Sequence, residues 1–316
     1  MENKQPLVSI YMLTYNSSKT VVEALESVYA LTYKNIELIV SDDASPDNTV
    51  TICENWIEEH RDRFVDAKVL TVAKNTGVAK NFRRAIDACK SEWIKGVAGD
   101  DALYPDCISH FMIFLRSHPD AKMIHGKCRR FDTYLDEAHF IEELPSSTDP
   151  FNVVSTARQQ FNILLSWPCT GGPTMFYHKS VFSIPQLQDC GYPGLEDYPM
   201  YLRYTLLGNK IYFCDELVCK YRKSPTSLQI TTNYNNLITK SYLAHFFCET
   251  HNFYHGIDKV ARYVVNSYNW VICYSKNALL RKMFSVFFYP VYWVFYRIQQ
   301  KKNFKRIERA LAQESK

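Results

Sequence analysis

The sequence has little net charge, no paired-cysteine motif and no apolar run long enough to cross a bilayer. Its 37 Lys+Arg against 33 Asp+Glu leave a formal charge of +4, which argues against a nucleic-acid binder, because such proteins carry a denser basic face. Ten cysteines are scattered without a Cys-x-x-Cys pair, which indicates buried thiols in a reducing compartment. Since the first residues also lack the regions of a signal peptide, the sequence predicts a cytoplasmic protein.

The most apolar stretch, residues 283–296, is too short for a spanning helix. It has about 14 residues where roughly 20 are needed, and Pro290 interrupts it. Lys and Arg flank this aromatic segment, a pattern typical of a helix lying in the headgroup region. We therefore predict peripheral contact with the inner face of the cytoplasmic membrane. Packing on the rest of the chain, or on a second copy in a homodimer, is the alternative.

Two glycine-rich phosphate-binding motifs are also missing. No G-x-G-x-x-G follows the first predicted strand, and no G-x-x-x-x-G-K occurs, so dinucleotide and P-loop sites lack their glycines. A nucleotide bound here needs acidic side chains for its base or ribose and a metal for its phosphates.

Apolar runs and helical periodicities alternate over the first third of the chain. Strands are predicted at residues 7–13, 36–40, 67–72 and 93–97. This alternation predicts an α/β fold with a Rossmann-like, mostly parallel sheet flanked by helices. Further on, the pattern predicts strands at 121–126, 174–177, 210–213 and 217–221, helices at 106–117 and 151–166, a loop over 136–150, a turn at 167–173, and helices from residue 233 to the end.

Polar residues collect where the predicted strands end. Because ligands bind beyond the carboxyl ends of parallel strands, we expect these residues to converge on one rim: Thr14, Asn16, Asp42, Asp43, Asn75, Asp100 and Asp101.

Asp100 and Asp101 are adjacent carboxylates at the end of the fourth strand. Neighbouring negative charges are tolerable at neutral pH only when solvent, donors or a cation offset them. Mg²⁺ and Mn²⁺ prefer such oxygen ligands together with substrate phosphates. The pair therefore predicts a divalent cation and diphosphate chemistry, with a solvated turn or helix cap as the alternative.

A second acidic pair, Glu196 and Asp197, opens a predicted helix. Acids are favoured there by the helix dipole, but one of them also suits a general base for an acceptor hydroxyl. Arg222 and Lys223 leave the sheet in a basic, hydroxyl-rich loop that suits phosphate.

Over residues 6–230 the chain resembles the family 2 nucleotide-sugar glycosyltransferases of the GT-A fold, of the bacterial surface-polysaccharide type. The motifs that carry the resemblance occur in the family's order. They are Val8-Ser9-Ile10 with Thr14-Tyr15-Asn16, Val40-Ser41-Asp42-Asp43-Ala44-Ser45-Pro46-Asp47, Asn75-Thr76-Gly77 with Asn81, Ala98-Gly99-Asp100-Asp101, Glu196-Asp197 with Leu202-Arg203, and Tyr221-Arg222 with Ser224-Pro225-Thr226-Ser227.

The resemblance implies roles for these residues. Thr14, Asp42 and Asp43 match the residues that hold the nucleoside, usually uridine, with Tyr15, Asn16 and Asn75 beside them. Asp100 and Asp101 match the pair that holds the metal and the diphosphate, Asp197 matches the base, with Glu196 beside it, and Arg222 lies in the loop that closes over the donor.

Two departures from the family pattern concern the metal. Ala98 stands where the fuller acidic motif has another Asp, so metal binding rests mainly on Asp101. Ser224 stands where many members have a His ligand.

The resemblance implies an inverting, Mn²⁺- or Mg²⁺-dependent transfer of a sugar from a nucleotide diphosphate sugar, UDP-linked in the family's usual pattern, to a hydroxyl of a saccharide acceptor. The basic aromatic tail favours a lipid-linked acceptor in O-antigen or capsule synthesis. The predicted catalytic domain covers residues 1–230, with a nucleotide-sugar half to residue 104 and an acceptor half after it, and a helical region covers 231–316. A non-catalytic nucleotide-sugar-binding scaffold that docks to assembly enzymes is the alternative, and a nucleotidyltransferase lacks its glycine-rich first loop here.

Overall fold

A computed structural model describes residues 5–166, 171–187, 192, 194–223, 237–274 and 278–312. The predicted turn at 167–173, of which 167–170 are not described, and the helices predicted from residue 233 to the end fall partly outside these residues. The late loop at 224–227 lies entirely outside them.

In the described part of the chain, nine strands form one sheet. They are β1 Val8–Thr14, β2 Ile36–Asp42, β3 Asp66–Leu70, β4 Trp93–Ala98, β5 Ala102–Leu103, β6 Met123–Asp132, β7 Phe140–Leu144, β8 Met175–His178 and β9 Tyr212–Lys223. Their order is β3-β2-β1-β4-β8-β6-β9-β5, with β7 paired to β6. The pairings within β3-β2-β1-β4 are parallel, as predicted. Beyond β4, all pairings are antiparallel except β6 with β9.

Ten α-helices are described. They are α1 Val21–Tyr29, α2 Thr49–Glu59, α3 Val78–Ala88, α4 Cys107–Ser117, α5 Pro150–Val153, α6 Ala157–Leu164, α7 Tyr198–Leu206, α8 Leu237–Cys248, α9 Gly256–Tyr274 and α10 Ala278–Ala312. The predicted α/β class with a helical C-terminal region is thereby confirmed.

The strands β1 and β2 are buried on both faces, as their continuous apolar sequences require. Because side chains alternate along a strand, Ile10 and Met12 enter one core with α1, α2 and α4. Tyr11 enters a second core with α3, α6 and α7. Because both faces of these strands are covered, their polar side chains gather at the strand ends.

Several predicted boundaries differ from the structure. The loop predicted over 136–150 contains β7, which pairs with β6. The helix predicted over 151–166 is two helices, because Val154 is extended. The strands predicted at 210–213 and 217–221 form the single strand β9, with irregular register opposite residues 125–128. Pairing with β6, which local sequence patterns do not show, decided the bounds of β7 and β9.

The helix α10 continues through Pro290 instead of ending there. A proline removes one backbone donor but does not prevent a long helix when flanking turns hold it. Of the helices that the structure describes, none combines the length and apolarity that a bilayer crossing requires.

Candidate active site

The ends of β1 and β2 are joined by side-chain hydrogen bonds. Thr14 and Asp42 are register partners, and the Thr14 hydroxyl donates to Asp42 Oδ2 at 2.9 Å. Ser45 donates to the same carboxylate from its backbone N–H at 2.8 Å and from its hydroxyl at 2.5 Å. Asp42 is fully buried, so its charge is met by these donors, and it shapes the turn that follows β2.

Asp43 connects this turn to the segment before α3. Its Oδ2 accepts the backbone N–H groups of Thr76 at 2.9 Å and Gly77 at 2.7 Å. Its Oδ1 accepts the Thr76 hydroxyl at 2.6 Å and Arg84 Nη2 at 3.2 Å. Gly77 has φ 89°, a backbone conformation that favours glycine. Asp43 therefore fixes the position of Asn75, which lies beside these donors.

Three predicted nucleotide contacts lie at the exposed edge of the same rim. Tyr15 is 52% exposed, and Asn16, with φ 55°, donates its backbone N–H to Ser45 Oγ at 2.8 Å. Asn75 is exposed and accepts the Gly77 N–H through its side chain at 3.2 Å. The ring of Tyr15 and the polar groups of Asn16 and Asn75 are therefore accessible to a ligand.

The Asp100–Asp101 pair follows β4 directly beside the end of β1. The Gly99 N–H donates to Leu13 O at 2.9 Å, and a Cβ at Gly99 would lie 2.9 Å from Thr14 Cγ2. Glycine at position 99 thus permits the close approach of the two strand ends. The structure brings together the predicted residues of β1, β2 and β4 on one edge of the sheet.

Both carboxyls of the pair are perturbed by their surroundings. Burial raises the pKa of Asp100, and the charge of Arg222 opposes this effect. Burial, and then the charge of Asp100, raise the pKa of Asp101 well above its ordinary value. The Arg222 N–H and the charges of Lys95 and Arg222 partly counter that rise. Such opposing influences are common at functional sites.

Arg222, at the end of β9, is almost fully buried beneath the pair. Its backbone N–H donates to Asp101 Oδ1 at 2.8 Å, and its Nε donates to Asp100 O at 2.7 Å. The two Nη atoms donate to Thr133 O and to Glu23. Arg222 thus positions Asp101 through its backbone N–H and Asp100 through its guanidinium, and its contact with a donor phosphate stays a prediction.

The Asp100–Asp101 pair passes one test for a divalent cation. Asp101 Oδ2 is buried and has no hydrogen-bond partner among the described residues, although a buried carboxylate oxygen normally has one. A bound cation would satisfy that atom, and hard oxygen ligands suit Mg²⁺ or Mn²⁺. Among the described residues, no group of three or more His, Cys, Asp or Glu side chains forms a ready-made metal cluster. Two carboxylates leave coordination positions on such a cation that substrate or water oxygens can fill.

The Glu196–Asp197 pair lies at the start of α7, as predicted. Asp197 precedes the helix, and its carboxylate accepts the Tyr198 N–H at 2.6 Å and the Gly172 N–H at 3.1 Å. Burial and the charge of Asp197 raise the pKa of Glu196 to about 8. Burial also raises the pKa of Asp197, but the two backbone donors oppose it. At neutral pH Asp197 is thus the more readily ionised member of the pair.

A buried lysine that the sequence analysis missed links the two acidic pairs. Lys95 of β4 is fully buried, and its Nζ donates to Gly96 O at 2.7 Å and to Pro173 O at 2.6 Å. Pro173 follows Gly172, which donates to Asp197. The only sequence signal was a charged residue inside an apolar strand, which is uncommon unless the charge has partners.

Two cavities described in the structure lie away from these acids. One, of about 240 Å³, is lined by residues of α7 and α8. The other, of about 310 Å³, lies between α9 and α10. The placement of the four carboxylates, and not cavity size, therefore identifies the candidate site.

Comparisons with known proteins identify the family of this chain. The sequence pattern of the family described as "Glycosyl transferase family 2" matches residues 9–183, more than half of the chain. The putative glycosyltransferase EpsE of Bacillus subtilis is 30% identical over 132 residues, which cover 42% of this chain and 46% of EpsE. The chondroitin synthase of Escherichia coli is 35% identical over 104 residues, which cover 33% of this chain and 14% of that protein. The matches therefore span less than half the length of these relatives.

Solved structures show the same fold at low sequence identity. The crystal structure of S. aureus TarS in complex with UDP has a TM-score of 0.56 at 18% identity, covering 97% of this chain and 91% of that one. A mannosyltransferase from Pyrobaculum calidifontis in complex with GDP-Man and Mn²⁺ has a TM-score of 0.51 at 15% identity, covering 99% and 76%. With the family pattern matched across β1 to β8 and this fold, the chain belongs to glycosyl transferase family 2.

Proposed function

We propose that the protein is an inverting glycosyltransferase that moves a sugar from a nucleotide diphosphate sugar, in the first instance a UDP sugar, to a hydroxyl group of a saccharide acceptor. Family membership supports the reaction class. The observation that carries the proposal is the placement of two acidic pairs around β4. Asp100–Asp101 follows this strand, and Asp197 is joined to it through Gly172, Pro173 and Lys95.

The donor nucleotide is assigned to the rim of β1 and β2. TarS structures contain UDP and UDP-GlcNAc, which supports a uridine nucleotide by analogy of fold. Asp42 and Asp43 hold the two turns in place, and the exposed Tyr15, Asn16 and Asn75 present a ring and polar groups to the nucleoside. We assign the nucleoside contacts to the exposed residues because the carboxylates of Asp42 and Asp43 are buried and already accept hydrogen bonds from the protein.

The cation is assigned to Asp100 and Asp101. When bound, Mn²⁺ or Mg²⁺ would neutralise charge on the leaving diphosphate. Arg222 supports the site from below by holding the Asp100 carbonyl and the Asp101 carboxylate. The orphaned Asp101 Oδ2 is the atom of this chain best suited to such a cation.

Asp197 is assigned as the general base. It takes a proton from the acceptor hydroxyl, the hydroxyl oxygen bonds to the anomeric carbon, and the bond from that carbon to the diphosphate oxygen breaks. The Tyr198 and Gly172 N–H groups stabilise the carboxylate before it takes the proton. Glu196, with its raised pKa, retains its proton near neutral pH, which lessens the charge repulsion beside the base.

Replacing Asp197 by Asn tests the base assignment. The change keeps the size of the side chain but removes the proton acceptor. We expect the transfer rate to fall by a factor of about 100 or more, whereas binding of UDP sugar, measured by calorimetry with Mn²⁺, stays within about 2-fold of wild type.

Asp87→Asn is the matched control, because Asp87 lies on the surface of α3 and pairs only with Arg83 among its described ion-pair contacts. Loss of donor binding in Asp197→Asn would remove Asp197 from the base role. Absence of both transfer and nucleotide-sugar hydrolysis in the wild type with Mn²⁺ would instead favour the non-catalytic scaffold.

We also propose that the acceptor is lipid-linked and used in surface-polysaccharide synthesis. One relative is named poly-beta-1,6-N-acetyl-D-glucosamine synthase, from Staphylococcus epidermidis, at 28% identity over 122 residues. The α10 segment between residues 283 and 296 exposes aromatic and aliphatic side chains between basic flanks. Such a surface suits anionic headgroups at the inner face of the cytoplasmic membrane, and a homodimer contact is the alternative use of it.

A further inference from the structure

Lys95 is a buried cation that none of the assigned steps uses. It lies in the middle of β4, its side chain is fully buried, and in the described part of the chain no carboxylate forms an ion pair with it. Burying an ammonium group without compensation is costly. Its position near the site therefore calls for a specific role.

The hydrogen bonds of Lys95 join two parts of the chain that are distant in sequence. Its Nζ donates to Gly96 O in its own strand and to Pro173 O in the turn before β8. The turn is closed by Thr174, whose hydroxyl donates to Gly171 O at 2.9 Å. Within this turn the Gly172 N–H faces the Asp197 carboxylate.

Asp100 and Asp101 directly follow β4, which carries Lys95 and ends at Ala98. Beside this connection through the backbone, the positive charge of Lys95 acts on the Asp101 carboxyl and lowers its pKa against the effect of burial. Lys95 thus joins the strand that leads to the residues assigned to the cation with the turn that contacts the base.

We propose that Lys95 is a positioning residue that holds the turn at residues 171–174 against β4 and thereby sets Asp197 relative to Asp100 and Asp101. This inference rests on the proposed function. The reaction requires the base and the leaving group to be on opposite sides of one carbon, and a displacement of about 1 Å can cost about 100-fold in rate. A short, charge-assisted contact restricts such displacement.

The experiment compares Lys95→Met with wild type in transfer, donor binding and Mn²⁺ binding. Methionine fills similar space but lacks the charge and the donors. We expect kcat to fall by a factor of about 10 to 100 while KM for the donor stays within about 2-fold. Mn²⁺ binding without nucleotide, measured by electron paramagnetic resonance, should tighten by a factor of about 3 to 10, because a repelling charge has been removed.

Lys90→Met is the matched control, since Lys90 is exposed and pairs with Asp66 on the surface; it should leave all three quantities unchanged. Thr174→Val provides a second route, because it loosens the same turn and keeps the charge of Lys95. It should lower kcat and leave Mn²⁺ binding at the wild-type value. If Lys95→Met does not fold, an unchanged kcat in Thr174→Val overturns the proposal.

For a folded Lys95→Met protein, an unchanged kcat, or weaker Mn²⁺ binding, overturns the proposal. If the wild type transfers no sugar, the proposed function fails, and the Mn²⁺ titration still tests Lys95 separately. In that case tighter binding in Lys95→Met supports the placement of the charge beside Asp101, and equal or weaker binding overturns it.

Discussion

At the scale of single residues, the acidic pairs differ in what offsets their charge. Asp42 and Asp43 are buried but accept several hydrogen bonds each. Asp101 has one oxygen that accepts no hydrogen bond from the part of the chain that the structure describes. The hydrogen bonds to Asp42 and Asp43 already account for the burial of their charges. A buried carboxylate oxygen without such a bond requires another partner. The cation is therefore better assigned to Asp101 than to the acids after β2.

The raised pKa of Glu196 predicts a pH dependence of stability. Its carboxyl has an ordinary value of 4.5 and a value of about 8 in the folded protein. Between these values the folded state holds a proton that the unfolded state releases, so stability falls as pH rises through this window. Glu196→Gln removes this proton exchange. Its melting temperature should equal that of wild type near pH 4.5 and exceed it by at least about 2 °C at pH 8.5.

Thermal unfolding measured from pH 4.5 to 9 checks this expectation. The surface variant Glu54→Gln serves as the control, because Glu54 is exposed on α2. Equal melting curves for Glu196→Gln and wild type at every pH would contradict the burial of a neutral Glu196.

At the scale of secondary-structure elements, the C-terminal helices are joined to α6 by a buried polar cluster. Arg262 and Arg306 both contact Asp258, at 3.0 and 2.5 Å. Asn303 of α10 donates to Ser166 O at 3.1 Å, and Arg306 donates to Ser166 Oγ at 3.0 Å. These contacts fix α9 and α10 to the end of α6, which the amphipathic pattern of each helix did not reveal.

Two arginine–aspartate pairs with four-residue spacing allow a direct comparison of burial. Asp258→Asn leaves two arginines without their buried counter-charge, and we expect it to reduce the free energy of unfolding by about 3 to 5 kcal/mol. Asp87→Asn breaks the exposed pair with Arg83 and should cost at most about 1 kcal/mol. Urea denaturation measures both. Similar losses for the two variants would show that the cluster does not hold the helices.

At the scale of the whole molecule, one side of α10 is covered by exposed apolar side chains. Phe287 is 70% exposed and Val286 is 64% exposed. Arg281 and Lys282 precede this surface and further basic residues follow it. An exposed apolar patch with charged borders commonly marks an interaction site, in agreement with the proposed membrane contact. The division into a domain to residue 230 and a helical region after it stays a prediction.

Phe287→Glu tests the membrane contact. A carboxylate at this position opposes insertion among anionic headgroups, so binding to phosphatidylglycerol vesicles should weaken by a factor of about 10 or more, while transfer to a soluble acceptor is unchanged. Ile113→Glu is the control, since Ile113 is 58% exposed on α4. Vesicle sedimentation measures binding. Equal loss in both variants, or a change in dimerisation alone, would contradict a membrane role.

The sequence by itself determined the alternation of strands and helices and the positions of the acidic pairs. Continuous apolar runs can be buried only in a sheet covered on both faces, and polar residues must follow where such strands end. This is why Asp42, Asp43, Asp100 and Asp101 could be placed on one rim from local patterns alone. The same reasoning explains the confirmed fold class.

Only the tertiary structure decided how those residues are held. The pairing of β7 with β6, the burial of Arg222 under Asp101, and the contact between Lys95 and Pro173 join residues that are 9 to 121 positions apart. Contacts over these separations depend on chain topology, which periodicity along a single segment does not encode. The local sequence therefore identified the acids, and long-range packing decided which of them have partners and which remain available to a ligand.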